Sequence, residues 1–123
     1  MKNPKDLYLM DLEKIHIDLF RIGDGRPSRL FSETRAFKDC VIMNDPNGIP
    51  LVIADGNGFS TFSKITNAMR TALERPDKVI WKIRAGSRIP AGLRLVQDMT
   101  RPEDGHYFLA PVVTMPLAKY VGL

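Results

Sequence analysis

Residues 92–113 read GLRLVQDMTRPEDGHYFLAPVV and contain two apolar segments on either side of a polar one. GLRLVQ at 92–97 and HYFLAPVV at 106–113 are rich in branched and aromatic residues, which favours strands. Between them, DMTRPEDG at 98–105 contains proline and glycine, residues typical of chain turns. The stretch therefore predicts two strands separated by a turn.

Strand patterns continue upstream of this stretch. VIWKIR at 79–84 alternates, and CVIMN at 40–44 and IPLVIA at 49–54 are apolar runs joined by the turn tetrapeptide DPNG. That tetrapeptide predicts a hairpin because proline and glycine suit its second and fourth positions. Near the start of the chain, alternation from Ile15 predicts a strand that ends near Arg21, before a glycine- and proline-containing break at 23–28.

The strongest helical pattern lies at 60–76, STFSKITNAMRTALERP. Phe62, Ile65 and Met69 fall on one face at a 3.6-residue period. Ser60 is predicted to be the N-cap, and Pro76 to stop the helix. Residues 31–39 suggest a shorter helical piece, and the pattern of 114–123 is ambiguous. Because strands predominate without strand–helix alternation, we expect one α+β domain over residues 1–123 and no Rossmann-type nucleotide fold.

Composition excludes several classes. Of the 123 residues, 44% are hydrophobic and 26% charged, and no apolar run approaches a membrane span, so we expect a globular chain with no membrane contact. The N-terminal residues lack a secretory signal pattern, which suggests a cytoplasmic location or export by machinery that needs no such signal. The net charge of +4 comes from scattered basic residues, so nucleic acid is not the expected partner. With two histidines and one cysteine, Cys40, we expect no metal site.

Four short motifs follow one another along the chain: LFR at 19–21, G-x-S-x-F-x-K at 58–64, I-P-x-x-L-x-x-x-Q-D at 89–98, and H-Y-x-x-x-P-x-x-x-M at 106–115. In this order they resemble the small type VI secretion effector toxins with an ADP-ribosyltransferase-like fold. The resemblance runs from about Asp18 to Met115. It implies two packed, mainly antiparallel sheets with one main helix and a cleft that binds NAD. It also implies toxicity inside a target cell, an unidentified macromolecular acceptor, and a cognate immunity protein.

The resemblance also implies site residues. Arg21 matches the first-strand residue of the wider superfamily, and Ser60 matches the serine of its second motif. A guanidinium suits the pyrophosphate of NAD, and a hydroxyl can orient its ribose. Around Ser60, the cofactor-binding positions expected are Thr61, Phe62, as a stacking ring, and Lys64.

The late glutamate of the superfamily has no evident match in the sequence. Gln97 is the first choice for its place, Glu103 is a weaker one, and His106 is expected to act as a base near neutral pH. The predicted catalytic set is therefore Ser60, Gln97 and His106.

Two other functions stay open from the sequence. A ribonuclease-type toxin could use His16 or His106 with nearby basic residues. A non-catalytic module could keep the fold and NAD binding without turnover. Each site residue also has a structural explanation, such as an N-cap for Ser60 and core packing for Phe62.

Overall fold

The computed structural model describes residues 6–26 and 30–123. In chain order its strands are β1 (Leu7–Met10), β2 (Leu19–Asp24), β3 (Ile42–Asn44), β4 (Pro50–Val52), β5 (Phe59–Phe62), β6 (Lys78–Ile83), β7 (Leu93–Asp98), β8 (His106–Pro111) and β9 (Met115–Pro116). Its helices are α1 (Glu33–Asp39), α2 (Asn67–Ala72) and α3 (Leu117–Val121). No helix in the described ranges is long and apolar enough to cross a bilayer.

The strands form two antiparallel sheets. The larger sheet has the order β1-β7-β8-β5-β2-β6, and the smaller has the order β3-β4-β9. This confirms the predicted α+β class with two mainly antiparallel sheets. The single main helix is not observed, because the helical residues are divided among three helices of five to seven residues.

The two strands predicted from residues 92–113 are confirmed as β7 and β8, which pair from Leu93–Pro111 to Gln97–Tyr107. Their connection contains a 3₁₀ turn over Pro102–Asp104 that ends at Gly105. Gly105 has a φ of 65°, a left-handed conformation that suits glycine. The predicted turn residues therefore act as the sequence indicates.

The predicted 40–54 hairpin is confirmed as β3 and β4. In its turn, the Asp45 carboxylate accepts hydrogen bonds from the backbone N–H groups of Asn47 and Ile49, and Gly48 adopts a φ of 80°. The carboxylate thus fixes the turn locally, which explains why the tetrapeptide predicts it.

The predicted helix at 60–76 is wrong at its start. Ser60 lies in strand β5, and α2 begins only after Thr66, whose hydroxyl caps the helix by accepting from the Met69 N–H at 3.1 Å. Residues 59–62 satisfy both a helical and a strand period. Pairing of Phe59–Phe62 with β8 decides for the strand.

The first predicted strand is displaced. Ile15 bonds instead to a loop residue, and β2 starts at Leu19 and continues through Gly23 to Asp24. Arg21 is therefore in the middle of the strand, not at its end. Part of the break predicted at 23–28 lies outside the described residues.

The main core lies on one face of the larger sheet, together with residues of the smaller sheet, α1 and α3. We call this the core face; its fully buried members include Leu19, Leu95, Val52 and Tyr120. The helix predicted within 31–39 is confirmed as α1 and is capped by Ser32. Because side chains alternate along strands, the opposite face of the sheet carries the neighbours of these core residues, among them Ser60, Phe62 and His106. Arg21, two residues after Leu19, lies on the core face, where its guanidinium packs on Phe31 and Phe59.

Candidate active site

The site begins where two strands of the larger sheet separate. Strands β2 and β5 share one residue pair, Phe20 with Phe62. Beyond it, side chains take the place of strand pairing: the Ser60 N–H donates to Asp39 Oδ2 at 3.2 Å, and the Ser60 carbonyl accepts from Arg21 Nη1 at 2.5 Å. The backbone of Ser60 is thus held on this side by an ion pair in place of a neighbouring strand.

Arg21 is almost entirely enclosed, with 4% of its surface exposed. Its Nε donates to the Leu30 carbonyl at 2.8 Å, and its Nη1 lies 3.2 Å from Asp39 Oδ2. The guanidinium also lies over the rings of Phe31 and Phe59, 4.9 and 5.2 Å from their centres. Burial lowers the pKa of Arg21 from its ordinary value, whereas Asp39 opposes that change.

The third nitrogen of the Arg21 guanidinium differs from the other two in its hydrogen bonding. Nη2 of Arg21 is buried and has no hydrogen-bond partner in the part of the chain that the structure describes. An unsatisfied buried donor is costly, so such an atom points to a ligand that would complete it. An anionic oxygen is the best match for a charged donor.

A second chain of polar contacts extends from Ser60. His106 Nε2 lies 3.0 Å from Ser60 Oγ, and His106 Nδ1 lies 3.2 Å from Asp98 Oδ2. In the tautomer that carries the ring proton on Nδ1, Nδ1 donates to Asp98 and Nε2 accepts from the serine hydroxyl. The result is a carboxylate–imidazole–hydroxyl series, an arrangement that activates hydroxyl groups in enzymes.

The strand register explains how these residues meet. Ser60 pairs with Phe108 and Phe62 pairs with His106, so all four side chains lie on the same side of the sheet. The imidazole stacks on Phe62 at 4.6 Å between ring centres, with 10° between the planes, and also contacts Phe108. These rings fix its orientation. We call the sheet surface that bears Ser60, Phe62, Asp98 and His106 the site face.

Two cavities adjoin these groups. The smaller, about 170 Å³, is lined by residues that include Arg21, Arg35, Asp39, Ser60 and Phe62. The larger is an open cleft of about 760 Å³, lined by Phe20, Phe62, Lys64, Ile65, Thr66, Asn67, Ala68, Arg70 and Asp104. Phe62, Thr66 and Ala68 border both. The two spaces together offer aromatic walls and four cationic side chains.

The structure brings together four of the predicted site residues: Arg21, Ser60, Phe62 and His106 contact or line one region. Lys64 lies at the larger cleft, where its Nζ donates to the Glu103 carbonyl at 2.6 Å.

Two predicted residues point elsewhere. Thr61 is fully buried, and its hydroxyl donates to the Tyr107 carbonyl at 3.1 Å. Gln97 pairs with Tyr107 and alternates with Asp98, so it belongs to the core face. The expectation that Gln97 and His106 face the same bond is therefore not met.

Asp39 and Asp98 were not predicted as site residues from the sequence. For Asp98 a signal was present: in the adjacent Gln97–Asp98 pair only one side chain can share a face with His106, and strand alternation selects the acid. Asp98 is 4% exposed, unlike Glu103, whose side chain is 68% exposed and pairs with Arg101. No comparable sequence signal indicates that Asp39 at the end of α1 reaches Ser60.

The two histidines lie on opposite sides of the sheet. His16 is exposed and meets Tyr107, a core-face residue, edge-on at 6.0 Å between ring centres. The described residues therefore do not bring His16 and His106 together at one site. They also contain no cluster of three or more ligating side chains that could hold a metal ion.

Comparison with known proteins gives one match. A family model described as Tse2 ADP-ribosyltransferase toxin matches residues 17–123, a range that includes Arg21, Ser60, Asp98 and His106. No curated protein and no solved structure matches the chain.

Proposed function

This chain belongs to the Tse2 ADP-ribosyltransferase toxin family, a family of type VI effectors, and on that premise we propose that it cleaves NAD at the site face. The observation that carries the proposal is that Arg21 and Ser60 line the same small cavity, while Nη2 of Arg21 is buried and has no hydrogen-bond partner among the described residues. NAD offers both groups that this cavity lacks: an anionic pyrophosphate for the guanidinium, and a ribose for the hydroxyl.

Arg21 anchors the pyrophosphate. Because Nη1 and Nε are engaged by Ser60, Asp39 and Leu30, Nη2 is the nitrogen left for a phosphate oxygen. Arg35 lines the same cavity and supplies a second positive charge. Asp39 neutralises one of the two guanidinium groups, so the cavity keeps a net positive charge that attracts the dinucleotide.

Phe62 and Ser60 position the nicotinamide half. The His106 imidazole stacks on the Phe62 ring, and Phe62 also lines the larger cleft, so we assign the aromatic nicotinamide to that cleft beside Phe62. Ser60 Oγ holds the adjoining ribose. Its backbone is fixed on both the N–H and the carbonyl side, which keeps the hydroxyl in place as the bond breaks.

His106 accepts the proton that the reaction releases, and Asp98 stabilises the protonated ring. When the nicotinamide–ribose bond breaks, positive charge develops on the ribose, and an incoming hydroxyl or water must lose a proton as it bonds to C1′. His106 Nε2 accepts that proton directly or through Ser60, and Asp98 stabilises the resulting imidazolium. This assignment gives no role to a late glutamate. The described carboxylates that line the two cavities belong to Asp39 and Asp104 and not to a glutamate.

The reaction is transfer of ADP-ribose to an acceptor or hydrolysis of NAD, in the cytoplasm of a target cell, with a cognate immunity protein as its inhibitor. A ribonuclease mechanism is not proposed, because the family match is to ADP-ribosyltransferase toxins. The open cleft beside Phe62, lined by Lys64 and Arg70, is where an acceptor would approach.

Expression in a bacterial cytoplasm tests the proposal. We expect the wild-type chain to arrest growth and deplete cellular NAD, and Ser60→Ala to do neither. Ser63→Ala is the matched control, because Ser63 lies beyond the end of β5 and lines neither cavity. Growth arrest with an unchanged NAD pool and no ADP-ribosylated product would refute NAD chemistry.

A further inference from the structure

The hydroxyl of Ser60 has an environment that a ribose-positioning role alone does not require. It lies 3.0 Å from His106 Nε2, which in turn lies 3.2 Å from Asp98 through its other nitrogen. A hydroxyl that only orients a sugar needs neither a base nor a carboxylate behind that base. A nucleophilic hydroxyl of the Ser-His-Asp type uses both.

The backbone of Ser60 is also fixed in position, as the backbone of a catalytic nucleophile is. Its N–H is fixed by Asp39 and its carbonyl by Arg21, and Ser60 and Arg21 line the same small cavity. If NAD binds there as proposed above, C1′ of the nicotinamide ribose lies against the best-activated hydroxyl of the site. Held orientation of this kind favours reaction between bound groups.

We propose that Ser60 is itself an ADP-ribosyl acceptor, so that the enzyme modifies its own catalytic serine when no other acceptor occupies the cleft. The inference rests on the proposed function. In this step the C1′–N bond breaks and its electron pair stays with nicotinamide. Ser60 Oγ bonds to C1′, and the hydroxyl proton passes to His106 Nε2 and then to solvent. The products are nicotinamide, one proton and a serine-linked ADP-ribose.

The bond between ADP-ribose and the serine oxygen determines how stable the modification is. ADP-ribose on a serine oxygen is a glycosidic acetal, so it persists near neutral pH and resists hydroxylamine, unlike an ester on a carboxylate. The adduct fills the cavity between Ser60 and Arg21 and removes the hydroxyl from the His106 hydrogen bond. Self-modification therefore inactivates the chain, and turnover depends on an acceptor or water arriving first.

Mass spectrometry of the purified full chain after incubation with NAD, without any extract, tests this inference. We expect a single ADP-ribosyl group per chain, resistant to hydroxylamine and located on Ser60 by peptide mapping. Ser60→Ala is expected to carry no adduct, and Ser63→Ala to be modified like the wild type. Asp98→Asn is expected to slow modification about tenfold or more, because the imidazole loses its orienting carboxylate.

The other outcomes separate this inference from the proposed function. Release of nicotinamide with an unmodified Ser60 overturns self-modification and leaves NAD cleavage standing. An adduct that maps to another residue and persists in Ser60→Ala overturns it as well. Neither adduct nor nicotinamide release overturns both proposals together.

Discussion

His106 Nε2 lies 3.0 Å from Ser60 Oγ, although the two residues are 46 positions apart in the chain. Pairing of β5 with β8 brings them together, and stacking of the imidazole on Phe62 fixes the angle between ring and hydroxyl. The contact depends on the sheet register, because a shift by one residue would move one side chain to the core face.

The first prediction concerns Asp98, whose carboxylate contacts the His106 imidazole. Asp98→Asn is expected to lower nicotinamide release at least about tenfold, because an amide does not stabilise the imidazolium. The acid limb of the pH–rate profile should move to lower pH, since an imidazole without an adjacent carboxylate gives up its proton more readily. Steady-state kinetics across pH measure both effects.

The neighbouring residue is the control for Asp98. Gln97→Ala is expected to keep both the rate and the pH profile, because Gln97 lies on the core face. Equal losses in the two variants would mean that the site extends through the sheet or that β7 is disturbed as a whole.

The second prediction concerns Arg35, which lines the small cavity without holding Ser60. Arg35→Gln is expected to raise KM for NAD about tenfold, equivalent to about 1.4 kcal/mol, with little change in kcat, because it removes ground-state attraction for the pyrophosphate. Salt should weaken NAD binding less in the variant than in the wild type. An unchanged KM would remove Arg35 from the phosphate site.

The third prediction concerns the ion pair inside the larger sheet. Asp39→Ala leaves the Arg21 guanidinium buried without its counter-charge and removes the acceptor of the Ser60 N–H. We expect a loss of about 3 to 5 kcal/mol in the free energy of unfolding, measured with urea. Lys38→Ala, at an exposed position of the same helix, is expected to change it by less than about 0.5 kcal/mol.

The fourth prediction is a pH dependence of stability. Burial raises the pKa of the Cys40 thiol from 9.0 to about 11. The unfolded chain therefore loses this proton at lower pH than the folded chain, and stability falls as pH rises from about 9 towards 11. We expect a loss of about 1 to 2 kcal/mol between pH ~8 and pH ~10.5, reduced in Cys40→Ala. A raised pKa at the buried Tyr120 would leave a residual decline at still higher pH.

The sequence predicts the parts of the fold that local chemistry determines. The Asp45–Gly48 turn and the Pro102–Gly105 turn carry their own conformational preferences, so both strand pairs around them are foreseen. Residues 59–62 fit two periods at once, and only pairing with β8 decides between them. The N-cap assigned to Ser60 fails for that reason.

The same distinction applies to the site. The ordered motifs identify Arg21, Ser60 and His106, which the structure brings to one region. The partners of these residues come from elsewhere in the chain: Asp39 from the end of α1 and Asp98 from a neighbouring strand. The contact of Asp39 depends on tertiary packing, which no local pattern encodes, whereas strand alternation in 93–98 is a partial signal for Asp98.

The most direct test of NAD cleavage at Ser60 is nicotinamide release from NAD by the purified chain, with wild type, Ser60→Ala and Ser63→Ala compared at equal folded concentration. We predict release by wild type and Ser63→Ala, and a loss of about a hundredfold or more in Ser60→Ala. Equal release by wild type and a folded Ser60→Ala, or no release by any of the three, would contradict the account.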